Sequence, residues 1–148
     1  MSSLVRVYFL SAILAASLLS QEPKNAPSCY DTALTQLAMN NCAAQELRQA
    51  EAAMQSAYAQ LLARASATNP IAPKKIEAAQ RAWEAFLTAQ LEATFASQDK
   101  RDYGSVYPMC HAQLRRQLIL SRTAQLAAML TPAPEGEVCT GDRYAASR

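Results

Sequence analysis

The chain has 148 residues, a net charge of +2 from 14 basic and 12 acidic side chains, 51% apolar residues and only three glycines. That length suffices for one domain with a real core and leaves no comfortable room for two. With neither a basic stripe nor an acidic tail, binding of nucleic acid by bulk electrostatics is excluded. Alanine, glutamine and leucine abound, and alternating runs of strand formers are missing, so the composition predicts helices.

The first element in chain order is an address. Met1 to Arg6 carries one positive charge, Val7 to Leu19 is uncharged and apolar, and Ser20-Gln21-Glu22-Pro23 turns polar. This is the three-part pattern of a secretory signal peptide, assigned to residues 1–20, with Ala15-Ala16-Ser17 as an earlier cleavage choice. The apolar run is shorter than the roughly 20 residues a membrane span needs, so no stable span is expected after cleavage. Removing Arg6 with the leader lowers the net charge to +1. Export places Cys29, Cys42, Cys110 and Cys139 in an oxidising compartment, where an even count predicts two disulfides. The spacings of 12, 67 and 28 intervening residues leave all three connectivities open, and none is a CxxC pattern.

Residues 21–28 form a polar linker with two prolines. From Asp31, with Asp31 or Thr32 as cap, Leu34, Leu37, Leu47, Met54, Tyr58, Leu61, Leu62 and Ala65 recur at steps of mostly three and four and predict a first helix. Asn40-Asn41 is a candidate bend, and Thr68-Asn69-Pro70 a stop. Pro73 opens a second helix whose apolar side holds Ile76, Ala79, Trp83, Phe86, Leu87, Gln90 and Leu91. Ser97 to Tyr107 is a polar loop. Pro108 then starts a third helix striped by Leu114, Leu118, Leu126, Met129 and Leu130, and Thr131-Pro132 ends it. The expected architecture is all-α: a small three-helix up-down-up bundle over residues 21–131, with disulfides and an extended C-terminal tail at 132–148. The Ser97–Tyr107 loop is the longest connection between helices, which makes it the natural binding surface.

The chemistry-bearing residues point away from an enzyme. His111 is the single histidine and has no evident nucleophile or orienting partner, so it reads as a polar residue near a helix start. Oxidised cysteines and one histidine make no metal set, and no metal or other cofactor is expected. Glu77, Glu84 and Glu92 lie seven or eight apart, as on a solvated helix face. Neither a phosphate-cradling glycine loop nor a GxSxG elbow is present. Trp83 reads as core, and Arg81 and Arg122 as structural.

Four short patterns occur in order: Thr35-Gln36-Leu37-Ala38-Met39-Asn40-Asn41-Cys42 after Cys29, Ala79-Gln80-Arg81-Ala82-Trp83-Glu84, Tyr103-Gly104-Ser105-Val106-Tyr107-Pro108, and Arg122-Thr123-Ala124-Gln125-Leu126. Together they resemble the LprI-like family of small secreted bacterial proteins with a lysozyme-inhibitor-like domain. The resemblance covers about residues 29 to 130 and makes Gln36, Asn40, Gln80, Arg81, Trp83 and Arg122 its structural motif. It implies an exported, disulfide-bonded helical domain that binds a protein partner, a lysozyme, at the cell envelope. The family's usual cysteines at the end of the second helix and within the third are Leu91 and Leu114 here. Against that pattern we expect Cys29–Cys42 and Cys110–Cys139, with the tail folding back along the third helix. The reach is tight, about 30 Å of helix against about 30 Å of extended tail. Cys29–Cys139 with Cys42–Cys110 therefore stays open.

The function expected is that of a periplasmic or secreted binding protein, with Asp99, Asp102, Tyr103, Gly104 and Ser105 as the candidate partner-binding loop. The alternative is an envelope structural or adaptor protein without lysozyme binding. Lys100 and Arg101 in the same loop, with Arg115 and Arg116 behind it, weaken electrostatic attraction to a basic lysozyme.

Overall fold

The computed structural model describes residues 28–137 together with Cys139 and Tyr144. The expected signal peptide lies outside the described residues, as do the linker up to residue 27 and most of the tail. The elements are a 3₁₀ turn at Cys29–Thr32, α1 at Gln36–Thr68, α2 at Ala72–Thr94, a 3₁₀ segment at Lys100–Val106, and α3 at Tyr107–Ala128. Among the described residues there is no strand.

Pairings across the bundle give its direction. The bonds Gln36–Met109, Asn40–Ser105 and Glu51–Arg115 join residues 64 to 73 apart, a nearly constant offset, so α1 and α3 run parallel. Gln80 meets Arg122 while Phe95 meets Tyr107, so α2 runs antiparallel to α3. The chain therefore goes up, down and up. The most extensive packing is between α1 and α3.

Alanine explains that closeness. Along α1 the buried positions are Cys42, Ala43, Ala50, Met54, Ala57, Leu61 and Ala65, and along α3 they are Ala112, Ile119 and Leu126. Ala43, Ala50 and Ala57 recur every seven residues, and so do Ala112, Ile119 and Leu126. Such a repeat keeps one seam facing its partner when two helices cross at a shallow angle. The small buried alanines of α1 let α3 approach closely. Leu61, Ile119 and Leu126 are the largest fully buried side chains. Each contributes about 1.5–3 kcal/mol by leaving water. From α2 the core receives Ala72, Ile76, Leu87 and Leu91, with Gln80 the one buried polar residue.

Local signals acted mostly as expected. Asn69 ends α1, its N–H donating to Ala65 O, and Pro73 and Pro108 sit in the first turns of α2 and α3. Four points differ. Thr35 caps α1 by accepting from the Ala38 N–H at 3.1 Å, whereas Asp31 joins Ser28 in a capping box around the 3₁₀ turn. Asn40-Asn41 does not interrupt α1, a single helix of 33 residues, because the Asn40 side chain bonds away from its own backbone. Leu34 and Leu37 are 92% and 69% exposed: the first precedes the helix and the second faces a groove beside the loop. Ala79, Phe86 and Met129 are also exposed. Phe86 is one residue, about 100° of helix, off the line through Ile76, Gln80, Leu87 and Leu91.

Cys29 and Cys42 are bridged, with Cα atoms 5.7 Å apart, which staples the 3₁₀ turn to α1. The expected Cys110–Cys139 bridge is absent, and both residues are free thiols. The reason is the course of the tail. It turns at Pro134–Glu137, with Gly136 at φ 85°, and Tyr144 packs on the core while its carbonyl accepts from Arg64 Nη1 at 3.3 Å. Arg64 lies near the C-terminal end of α1, and Cys110 lies at the opposite end of the bundle. Of the tail, Tyr144 packs at the core's edge.

Candidate functional site

The start of α1, the end of α2 and the start of α3 meet at one end of the bundle, and the Ser97–Tyr107 loop crosses it. The loop is not a free coil. Ser97 Oγ donates to an Asp102 carboxylate oxygen, and the Ser97 N–H donates to the Tyr103 hydroxyl at 2.9 Å. Asp99 caps the 3₁₀ segment through the Arg101 N–H and pairs with the Arg101 guanidinium, which holds its carboxyl below the usual carboxylate range. Lys100 is exposed and folds back over the end of α2. Its ammonium donates to Phe95 O at 2.7 Å and Ser97 O at 2.8 Å, capping the negative end of α2, and stands 5.9 and 5.8 Å from the Tyr103 and Tyr107 ring centroids.

Under the loop the rings form a cluster. Phe95 meets Tyr103 and Tyr107 edge-on at 5.5 and 5.3 Å, Tyr103 stacks on Tyr107 at 5.4 Å, and His111 lies 5.5 Å from both Phe95 and Tyr107. Such pairs add about 0.5–1.5 kcal/mol each beyond area burial. Burial pushes the His111 imidazole below the ordinary histidine value, and the Arg115 and Lys100 charges push the same way. Of the expected loop residues, Tyr103 is therefore half-buried and supports the loop, while Asp102, Gly104 and Ser105 face solvent.

Gly104 sets the turn. Its φ of 67° and ψ of −169° lie in a region essentially reserved for glycine. The kink presents the Ser105 carbonyl to α1, where Asn40 Nδ2 donates to it at 3.1 Å. Gln36 Nε2 donates to Asn40 Oδ1 at 2.9 Å and orients that amide. Two motif residues thus clamp the loop. An open groove beside them is lined by Gln36, Leu37, Asn40, Arg101, Ser105 and Pro108, among others.

The other motif residues form a second group in mid-bundle. Gln80, 3% exposed, accepts from Arg122 Nε at 3.1 Å and donates to Glu84 at 3.2 Å. Arg122 also donates to Gln125, and its guanidinium carbon is 5.9 Å from the Trp83 ring centroid. One neutral amide thereby links a half-buried cation to a carboxylate on α2. Trp83 is half-buried and packs on the core, and Arg81 is exposed. Among the described residues no group of three His, Cys, Asp or Glu could hold a metal ion, and no helix is long and apolar enough to cross a membrane.

Sequence reasoning placed the loop but missed Phe95, Lys100, Tyr107 and His111 as its support. A signal existed: Tyr103, Tyr107 and His111 follow one another at steps of four, the spacing that stacks rings along a helix entry.

The fold and the site define a small, all-helical, disulfide-stapled module that carries one pre-set loop. The model of the family described as Lysozyme inhibitor LprI matches residues 29–126, and the chain belongs to that family. Comparisons with curated proteins and with solved structures gave no match.

Proposed function

We propose that the chain is exported, loses residues 1–20, and binds a lysozyme at the cell envelope so as to block it, without catalysis of its own. The observation that carries this reading is the loop: Asp102, Gly104 and Ser105 are exposed, yet the backbone beneath them is tied to α1 by Asn40 and to α2 by Lys100. A loop already held in one shape loses little entropy on binding, so its contacts count toward affinity. The family's description supports lysozyme as the partner. The Cys29–Cys42 bridge supports an oxidising compartment. Charge supplies little of the attraction, since Asp99 and Arg101 neutralise each other and the exposed Lys100 ammonium is held on the Phe95 and Ser97 carbonyls. Contact shape and the exposed Leu37 carry more.

The test is to titrate the oxidised mature protein into lysozyme-catalysed lysis of bacterial cell walls, using more than one lysozyme type, with binding followed by calorimetry. Saturable inhibition near one-to-one stoichiometry is expected, and Ser105→Arg, at an exposed side chain, should weaken it at least about tenfold, about 1.4 kcal/mol, with melting unchanged. Absence of binding to every lysozyme at tens of micromolar, where useful interfaces register, would reject this reading and leave an envelope adaptor.

A further inference from the structure

His111 is the single histidine of the chain and lies directly beneath the candidate loop. Its imidazole touches Phe95 at the end of α2 and Tyr107 at the start of α3, and through them the stack that holds Tyr103. It makes no hydrogen bond to any described residue, so ring contacts alone hold it. The hollow it lines also holds Lys100 from the loop, Arg115 from α3, and Thr88 and Glu92 from α2. No α1 residue lines that hollow; the α1 carboxylates facing this part of α3 are Glu51, tied to Arg115 at 3.0 Å, and Glu46, tied to Arg116 at 3.6 Å.

A proton on His111 would therefore bring a third cation beside two that already have partners. Lys100 is anchored on the Phe95 and Ser97 carbonyls, and Arg115 on Glu51. Glu92 and Lys100 are both exposed, so water screens the pull of one and the push of the other, and burial of the ring and the half-buried Arg115 carry most of the penalty. The strain can be relieved if the imidazole swings out to water or if Lys100 leaves its carbonyls. Either route removes support from Tyr103 and from the Ser97 N–H that donates to its hydroxyl.

We propose that His111 is a proton-operated latch, which holds the loop in its binding shape while neutral and releases it when protonated. The sign agrees with the burial of the ring. A histidine held below its ordinary value of 6.5 in the folded protein favours folding fully above that pH. The contribution declines as pH falls from 6.5 toward the folded value and stays flat below it. The effect on binding rests on the lysozyme reading, whereas the latch is tested without a partner.

The experiment is an NMR titration of the oxidised mature protein from neutral into mildly acidic pH. It follows the His111 and Tyr103 ring signals and the exchange protection of the Ser97 amide. As His111 titrates, that protection should fall severalfold and the Tyr103 signals should move with it. His111→Phe keeps a ring without a titrating charge and should give a flat profile. Should His111→Phe fail to fold, His111→Gln replaces it and should likewise be flat. Arg115→Gln should move the wild-type transition to higher pH. Full Ser97 protection through the His111 titration, or the same acid loss in the variant lacking the imidazole, would overturn the latch. Where lysozyme inhibition exists, it should fade in acid for the wild type and persist in the variant. Failure to inhibit at every pH would sink the lysozyme reading and leave the latch to the Ser97 result.

Discussion

At Gly104 a single backbone angle decides the shape of the candidate surface. A Cβ placed there would meet no atom within 4 Å, so the cost of a side chain is conformational, not a clash. Strain of that kind is worth about 1–3 kcal/mol. Gly104→Ala should lower stability by that amount in denaturant unfolding, or shift the kink. If the kink shifts, Asn40 loses its hold on Ser105, and inhibition of lysozyme should fall more than stability does. An unchanged denaturation midpoint with full inhibition would mean that the kink is not needed. Glycine between Tyr103 and Ser105 is plain in the sequence, yet its need for positive φ is not, because glycine occurs in many loops without it. The pairing of Asn40 with Ser105 was equally hidden, since 65 residues separate them.

Elements were more legible than residues. Pro73, Pro108 and Asn69-Pro70 marked helix boundaries through rigid local chemistry, and the structure has its ends there. The stapled 3₁₀ turn makes a separate prediction. Cys29 and Cys42 are 13 residues apart, and closing so short a loop stabilises by about 3 kcal/mol in the chain-entropy view. Reduction should lower the urea midpoint accordingly and free Tyr30 from Gln113, while circular dichroism keeps nearly all helical signal. Peptide mapping without reduction should find Cys29 joined to Cys42 and should find Cys110 and Cys139 alkylated. A peptide linking Cys110 to Cys139 would contradict the structure. Asn40-Asn41 is a candidate bend in the sequence, since asparagine competes locally for backbone bonds. In the fold its side chain has a better partner, and the helix runs through.

Across the whole molecule, stability rests on the alanine-lined seam between α1 and α3. Leu126→Ala should cost about 2–5 kcal/mol, since the seam cannot collapse around the cavity. Leu34→Ser and Leu37→Ser should each stay within about 0.5 kcal/mol, because both side chains already stand in water. Denaturant unfolding of the three variants checks both statements. A large loss at Leu34 would mean that its exposed position is wrong.

The sequence by itself determined helix content, helix boundaries, the position of the long loop and the family, because these rest on local propensity, proline and asparagine chemistry, and ordered short motifs. It also gave the short-range Cys29–Cys42 bridge through the family pattern. Only the tertiary structure decided which apolar residues are core. Leu34, Leu37 and Phe86 look like Leu61 and Ile119 in a list of residues, and what separates them is the angular position at which a partner helix arrives. It alone decided that Tyr144 packs near Arg64 and that Cys110 and Cys139 stay unbridged. And it alone gathered Phe95, Lys100, Tyr103, Tyr107 and His111 into one support, since antiparallel packing of α2 on α3 joins a helix end to a helix start that local patterning treats as separate.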